Sequence, residues 1–192
     1  MNKPDKDILS IIEYRMKAIA IGRLAVRHTM NWEKSPTLAM YFDDKLVIEG
    51  KATTFTNCAI EAATIHSRVL LEFLGLKETN NDNTKLREIT ESRRSTDIAI
   101  EHFSGLEKLT ISKAVSYYDG SPIEAEAALA YVIYVANKGM AHLTSSFSKT
   151  TNDREMFEIA FRGIPELIIN KFYIPLDIPI PKYEPKSRNR VA

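Results

Sequence analysis

The sequence predicts a mostly α-helical protein, a multi-helix up-down bundle with a possible small β-hairpin at 38–48 and an extended, proline-rich C-terminal tail. Three observations carry that prediction. From Ala127 to Ala136 the run AALAYVIYVA is apolar on every face, which a helix tolerates only when neighbours surround it. Two other long segments repeat their apolar residues at the helical period. No internal repeat and no shift in composition marks a second domain in the 192 residues, so one helical domain over 1–174 with a tail over 175–192 is expected.

Taken in order, Ile8, Ile12, Met16, Ile19 and Arg23 fall on one stripe after Pro4 and Asp5, and a helix is expected from Asp5 to His28. Between Asn31 and Thr54 the period is lost. Two β-prone runs, Leu38–Phe42 and Leu46–Ile48, flank Asp43-Asp44-Lys45 and read as a hairpin or a long loop. Thr56 or Asn57 can cap a second helix, whose broad apolar face (Ile60, Ala63, Val69, Leu70, Phe73, Leu74) ends near Gly75. Lys77–Thr84 (KETNNDNT) is polar and turn-rich, and with the weak stripe of the following LREITESRR it is the expected mobile connection.

A short helix is expected over DIAIEHF and another from Leu106 to Tyr118. The central helix has a strong start, because Ser121 can cap it, Pro122 suits its first position and Glu124 completes a capping box. Asn152, Asp153 and Glu155 open a last helix that Pro165 interrupts with a kink. Four prolines in the eleven residues from Pro175 to Pro185 forbid a helix there, although the front of this tail is apolar enough to dock.

Composition excludes several function classes. The 26 basic and 25 acidic side chains leave a net charge of +1, so no global field draws the chain onto nucleic acid or an anionic membrane. The longest apolar run is about half of what spans a bilayer, and the acids near the start do not suit a secretory signal. A single cysteine, Cys58, rules out an internal disulfide. A cytoplasmic location without membrane contact is expected. No nucleotide-binding glycine loop or nucleophile elbow occurs, and no cofactor and no DNA-reading signature is expected.

None of His28, His66, His102 or His142 has Glu three residues before it, so a ferritin-like di-iron site is not expected. A bundle binding a metal or small molecule remains an alternative only if histidines converge in space. Arg68 and Glu72 stand one turn apart, the spacing of a surface ion pair, yet Arg68 or His66 could instead face the end of the central helix. On that helix Tyr131, Tyr134, Lys138 and His142 share a stripe spaced i, i+3, i+7, i+11. Arg68 and Tyr134 are thereby candidate substrate-binding residues.

The apolar helix IHSRVLLEFL, followed at a distance by a helix ending NKGMAHLT, resembles the HEPN superfamily of small α-helical bundles. That resemblance implies a metal-independent ribonuclease of toxin–antitoxin or antiphage systems, or else a non-catalytic RNA-binding or interaction module, commonly a homodimer. The family motif is an arginine, usually followed by a polar residue, with a histidine at the helix end. Here His142 matches the histidine, Lys138 the polar position, and Asn137 stands in the arginine's place. If the chain is an enzyme, the resemblance makes His142 the general acid–base, Lys138 the phosphate-facing cation and Asn137 a hydrogen-bond donor. RNA is the implied partner, with Arg87, Arg93, Arg94, Lys182, Lys186, Arg188 and Arg190 as candidate phosphate contacts and Tyr173 and Tyr183 as stacking candidates.

Overall fold

The structure is a computed structural model that describes residues 4–79, 82–140 and 152–185. Among these the fold is mostly helical, with five α-helices and two antiparallel two-stranded sheets. Helix α1 (Lys6–Met30) starts where the Asp5 carboxylate accepts the Ile8 amide at 2.8 Å. Its inner stripe, Ile12, Met16, Ile19 and Val26, is buried where the helix packs along α2 and α5.

Strands β1 (Thr37–Phe42) and β2 (Lys45–Lys51) form the expected hairpin, turning through Asp43 and Asp44, both at positive φ. Helix α2 (Ala52–Phe73) then begins upstream of Thr56 and Asn57, neither of which caps it. The Ala52 amide donates to the Pro36 carbonyl at 2.8 Å, and the Thr53 amide to the Ser35 hydroxyl at 3.2 Å. Those first amides are satisfied from across the hairpin, so no local capping residue was needed to start the helix. At the other end Gly75 adopts a φ of 95°, the left-handed conformation that glycine adopts without penalty.

The expected mobile connection is a second hairpin, β3 (Leu76–Thr79) with β4 (Asp82–Glu88). Leu76 and Leu86 are buried, and β4 lies along the central helix, where the Glu126 carboxylate accepts the Leu86 amide at 3.1 Å and pairs with Lys85 at 3.2 Å. A strand that buries a single leucine leaves little alternation to read.

The two helices expected in the middle third shrink to a 3-10 turn (Ile100–His102) and the short α3 (Ile111–Val115). Leu106–Thr110 is irregular because the Leu109 amide donates to the Leu74 carbonyl at 2.8 Å, outside any helix. Helix α3 starts only where Thr110 accepts the Lys113 amide.

Helix α4 (Pro122–Tyr134) is central, touching α2, α3, α5 and both strands of the second hairpin. Pro122 takes its first position as expected, but the capping box does not form. Ser121 makes no side-chain cap, and Glu124 instead accepts the Tyr118 hydroxyl at 3.1 Å. Helix α5 (Asn152–Ile168) runs through Pro165 and widens afterwards into a π-helical turn, Ile169–Tyr173.

The front of the tail docks as expected. Leu176 is buried, and the Ile178 amide donates to the Tyr173 carbonyl at 3.0 Å. No helix among the described residues is long and apolar enough to cross a membrane.

Candidate functional site

After Tyr134 the central helix changes pitch, and Val135–Met140 form a π-helical turn. Such a turn bonds i to i+5 and places an extra residue in each turn, which rotates Lys138 off the stripe that Tyr131 and Tyr134 share. Lys138 is exposed, whereas both tyrosines are half-buried against the core. The Tyr131 ring lies 5.7 Å from that of Phe157. Burial first, and then a hydrogen bond to Asp153, push its phenol well above the usual range. It is an uncharged hydrogen-bonding group and no proton shuttle at neutral pH.

Asn137 is half-buried and donates its side-chain amide to the Glu78 carboxylate on β3. Glu78 is the residue that sequence reasoning missed, since it belongs to the segment expected to be a mobile connection. The Asn137 amide is therefore already engaged by a carboxylate. His142 lies outside the described residues.

Arg68 does not join this group through any hydrogen bond among the described residues. Its Nε donates to Glu72 Oε1 at 3.0 Å, one turn along its own helix, a surface pair worth a few tenths of a kcal/mol. His66 faces α1, where Arg15 Nη1 lies 2.9 Å from its Nδ1 and the Tyr14 ring meets it edge-on at 5.2 Å.

Desolvation, and then the Arg15 charge, lower the His66 pKa. The folded state keeps this ring neutral where the unfolded chain would take a proton. Its contribution is therefore full above about pH 6.5 and is lost as pH falls from there towards the folded pKa. His66→Gln is expected to flatten the decline in melting temperature between about pH 7 and pH 5, read by thermal denaturation across that range. An unchanged decline would mean that His66 does not contribute to it.

Two of the expected phosphate contacts are engaged elsewhere. Arg87 and Lys77 both hold Glu91, at 2.9 and 3.1 Å. The hydrogen bond from Arg87 leads in lowering that carboxyl to about 2. Arg93 pairs with Glu101 at 3.3 Å and donates to the Glu72 carbonyl at 2.7 Å, fastening the loop to the end of α2.

A groove of about 100 Å³ lies between α1, α5 and the tail, with Arg23, Arg27, Arg162, Glu166, Tyr183 and Glu184 among its walls. Arg23 is paired with Glu158 at 2.8 Å, and Arg162 sits over the Tyr118 ring at 5.3 Å. Two glutamates stand among the three arginines of these walls, so the groove is no simple phosphate cradle. Among the described residues no group of three or more His, Cys, Asp or Glu could hold a metal ion.

No family model, curated protein or solved structure matches this chain.

Proposed function

We propose that the chain is a HEPN-like up-down helical bundle of a defence or toxin–antitoxin type system, cytoplasmic and homodimeric, serving as a non-catalytic interaction module. The observation that carries this reading is the hydrogen bond from Asn137 to Glu78. Cleavage by 2′-hydroxyl attack requires fixed positive charge against the scissile phosphate. At the arginine's position this chain has a neutral amide, and the group beside it is a carboxylate, which repels a phosphate. Lys138 is exposed to solvent, and Arg68 pairs with Glu72 on its own helix. RNA remains the macromolecule that the resemblance implies, held through the surface rather than cut.

The alternative is a metal-independent endoribonuclease, with His142 moving the proton and exposed Lys138 supplying the cation. Incubating the purified chain with total RNA, beside His142→Ala and Lys138→Ala, separates the two. The module is expected to leave RNA intact in all three samples. Cleavage that disappears in His142→Ala would overturn it in favour of the nuclease.

A further inference from the structure

The β1–β2 hairpin is poorly supported by its own chain. Tyr41 and Phe42 are each 60% exposed, Leu46 50%, Val47 49% and Ile48 40%, and the hairpin is tied to the start of α2, where the Ala52 amide donates to the Pro36 carbonyl. A two-stranded hairpin standing alone in water is marginal, and three or more strands are usually needed.

Its two edges are unequal. Strand β2 carries Lys45, Glu49 and Lys51, and its register with β1 slips past Val47, between Met40↔Ile48 and Tyr41↔Leu46. Charges and a bulge are what blunt a sheet edge against further pairing. Strand β1, TLAMYF, has no charge, no proline and no extra residue.

The direction of its backbone is fixed by the first bond of the hairpin. The Pro36 carbonyl accepts from Ala52, so by alternation Leu38, Met40 and Phe42 turn their amides and carbonyls towards β2. Those of Thr37, Ala39 and Tyr41 face outward, without partners among the described residues.

We infer that β1 is the docking edge for a second copy of this chain, paired antiparallel about a two-fold axis at Ala39 to give a continuous four-stranded sheet. The inference rests on the interaction-module reading and gives that module its partner. In this register Ala39 meets Ala39 of the other copy and Thr37 meets its Tyr41. All of these residues have outward-facing backbone groups, and Leu38 falls opposite Met40 between them.

A second copy suits this edge because an uncharged strand meets no like charge in itself. The two-fold consumes both β1 edges and leaves only the guarded β2 edges outside, so the assembly closes at two. The pairing gives partners to the outward amides and carbonyls of Thr37, Ala39 and Tyr41, and it lays the exposed Tyr41 ring beside Thr37 of the other copy.

Sedimentation velocity of the full chain across micromolar concentrations tests this. The wild type is expected to be a reversible dimer. Ala39→Lys and Ala39→Glu each place like charges face to face and should weaken association by at least ~10-fold, while an equimolar mixture of the two variants should dimerise again. Ala39 is exposed, and circular dichroism melts confirm that each variant is folded.

A wild type that stays monomeric overturns the inference. So do single variants that dimerise like the wild type, or folded variants whose mixture fails to associate. A monomer inert on RNA sinks the interface alone, and a dimer that cleaves RNA through His142 sinks the module alone.

Discussion

Replacing Phe172 with alanine is expected to cost about 3–5 kcal/mol, lowering the melting temperature by roughly 6–20 °C for a chain of this size. Phe172 is fully buried. Its ring meets Phe73 at 5.3 Å, Phe103 at 5.2 Å and Tyr173 at 5.4 Å, each in an edge-to-face arrangement that adds to the area buried. These rings come from the end of α2, the segment after the 3-10 turn and the turn that follows α5, so one side chain joins three parts of the chain that have no strand or helix in common. The cavity left by alanine would be lined by apolar groups and would stay dry.

Tyr173 is itself buried. Burial raises its phenol to about 12, so it stays neutral. Phe172→Leu keeps much of the volume and should cost less than the alanine variant. Thermal and urea denaturation of both check this, and a loss under about 1 kcal/mol for Phe172→Ala would mean that the cluster is not the joint described.

What could be read from the sequence is what is encoded locally. The four long helices announce themselves through period or through uninterrupted apolar character, and the first hairpin through two β-prone runs around Asp43-Asp44-Lys45. What could not be read depends on partners far along the chain. Helix α2 starts early because Pro36 and Ser35 take its first amides. Strand β4 is ordered by Glu126, about forty residues away. The expected helix from Leu106 shortens because Leu109 bonds to Leu74.

The candidate site divides in the same way. The motif order Asn137, Lys138, His142 is plain in the sequence, and the resemblance rests on it. The partner that sets the electrostatics of Asn137 is Glu78, in a stretch whose composition resembles a loop. The π-helical pitch that rotates Lys138 away has no local signature, since Val135 and Ala136 suit an α-helix equally well. Arg68 shows the reverse case, where the i, i+4 spacing alone identified its partner.

Gly22 offers the sharpest test of how α1 and α2 are held together. It is buried in α1, and a Cβ placed on it would run into the Ala63 side chain while closing to 3.0 Å from the Ala59 carbonyl oxygen and 3.5 Å from the Phe161 ring. The obstacles include backbone and a methyl fixed to a helix, neither of which can swing aside, so α1 must lift from α2. Gly22→Val is therefore expected to cost about 3 kcal/mol, at the upper end of overpacking, or roughly 6–12 °C in melting temperature.

The contrast with Gly163 separates packing from helix propensity. Gly163 lies inside α5 with open space around its would-be Cβ. Gly163→Ala should therefore realise the gain of up to about 1 kcal/mol that alanine brings to a helix interior. Opposite signs at these two helical glycines are the expected result in a denaturation series. A stabilising Gly22→Val would remove the close approach of α1 and α2 as a determinant of the fold. Adding Ala63→Gly to Gly22→Val should recover part of the loss, because the pair shares one space and their effects cannot add independently.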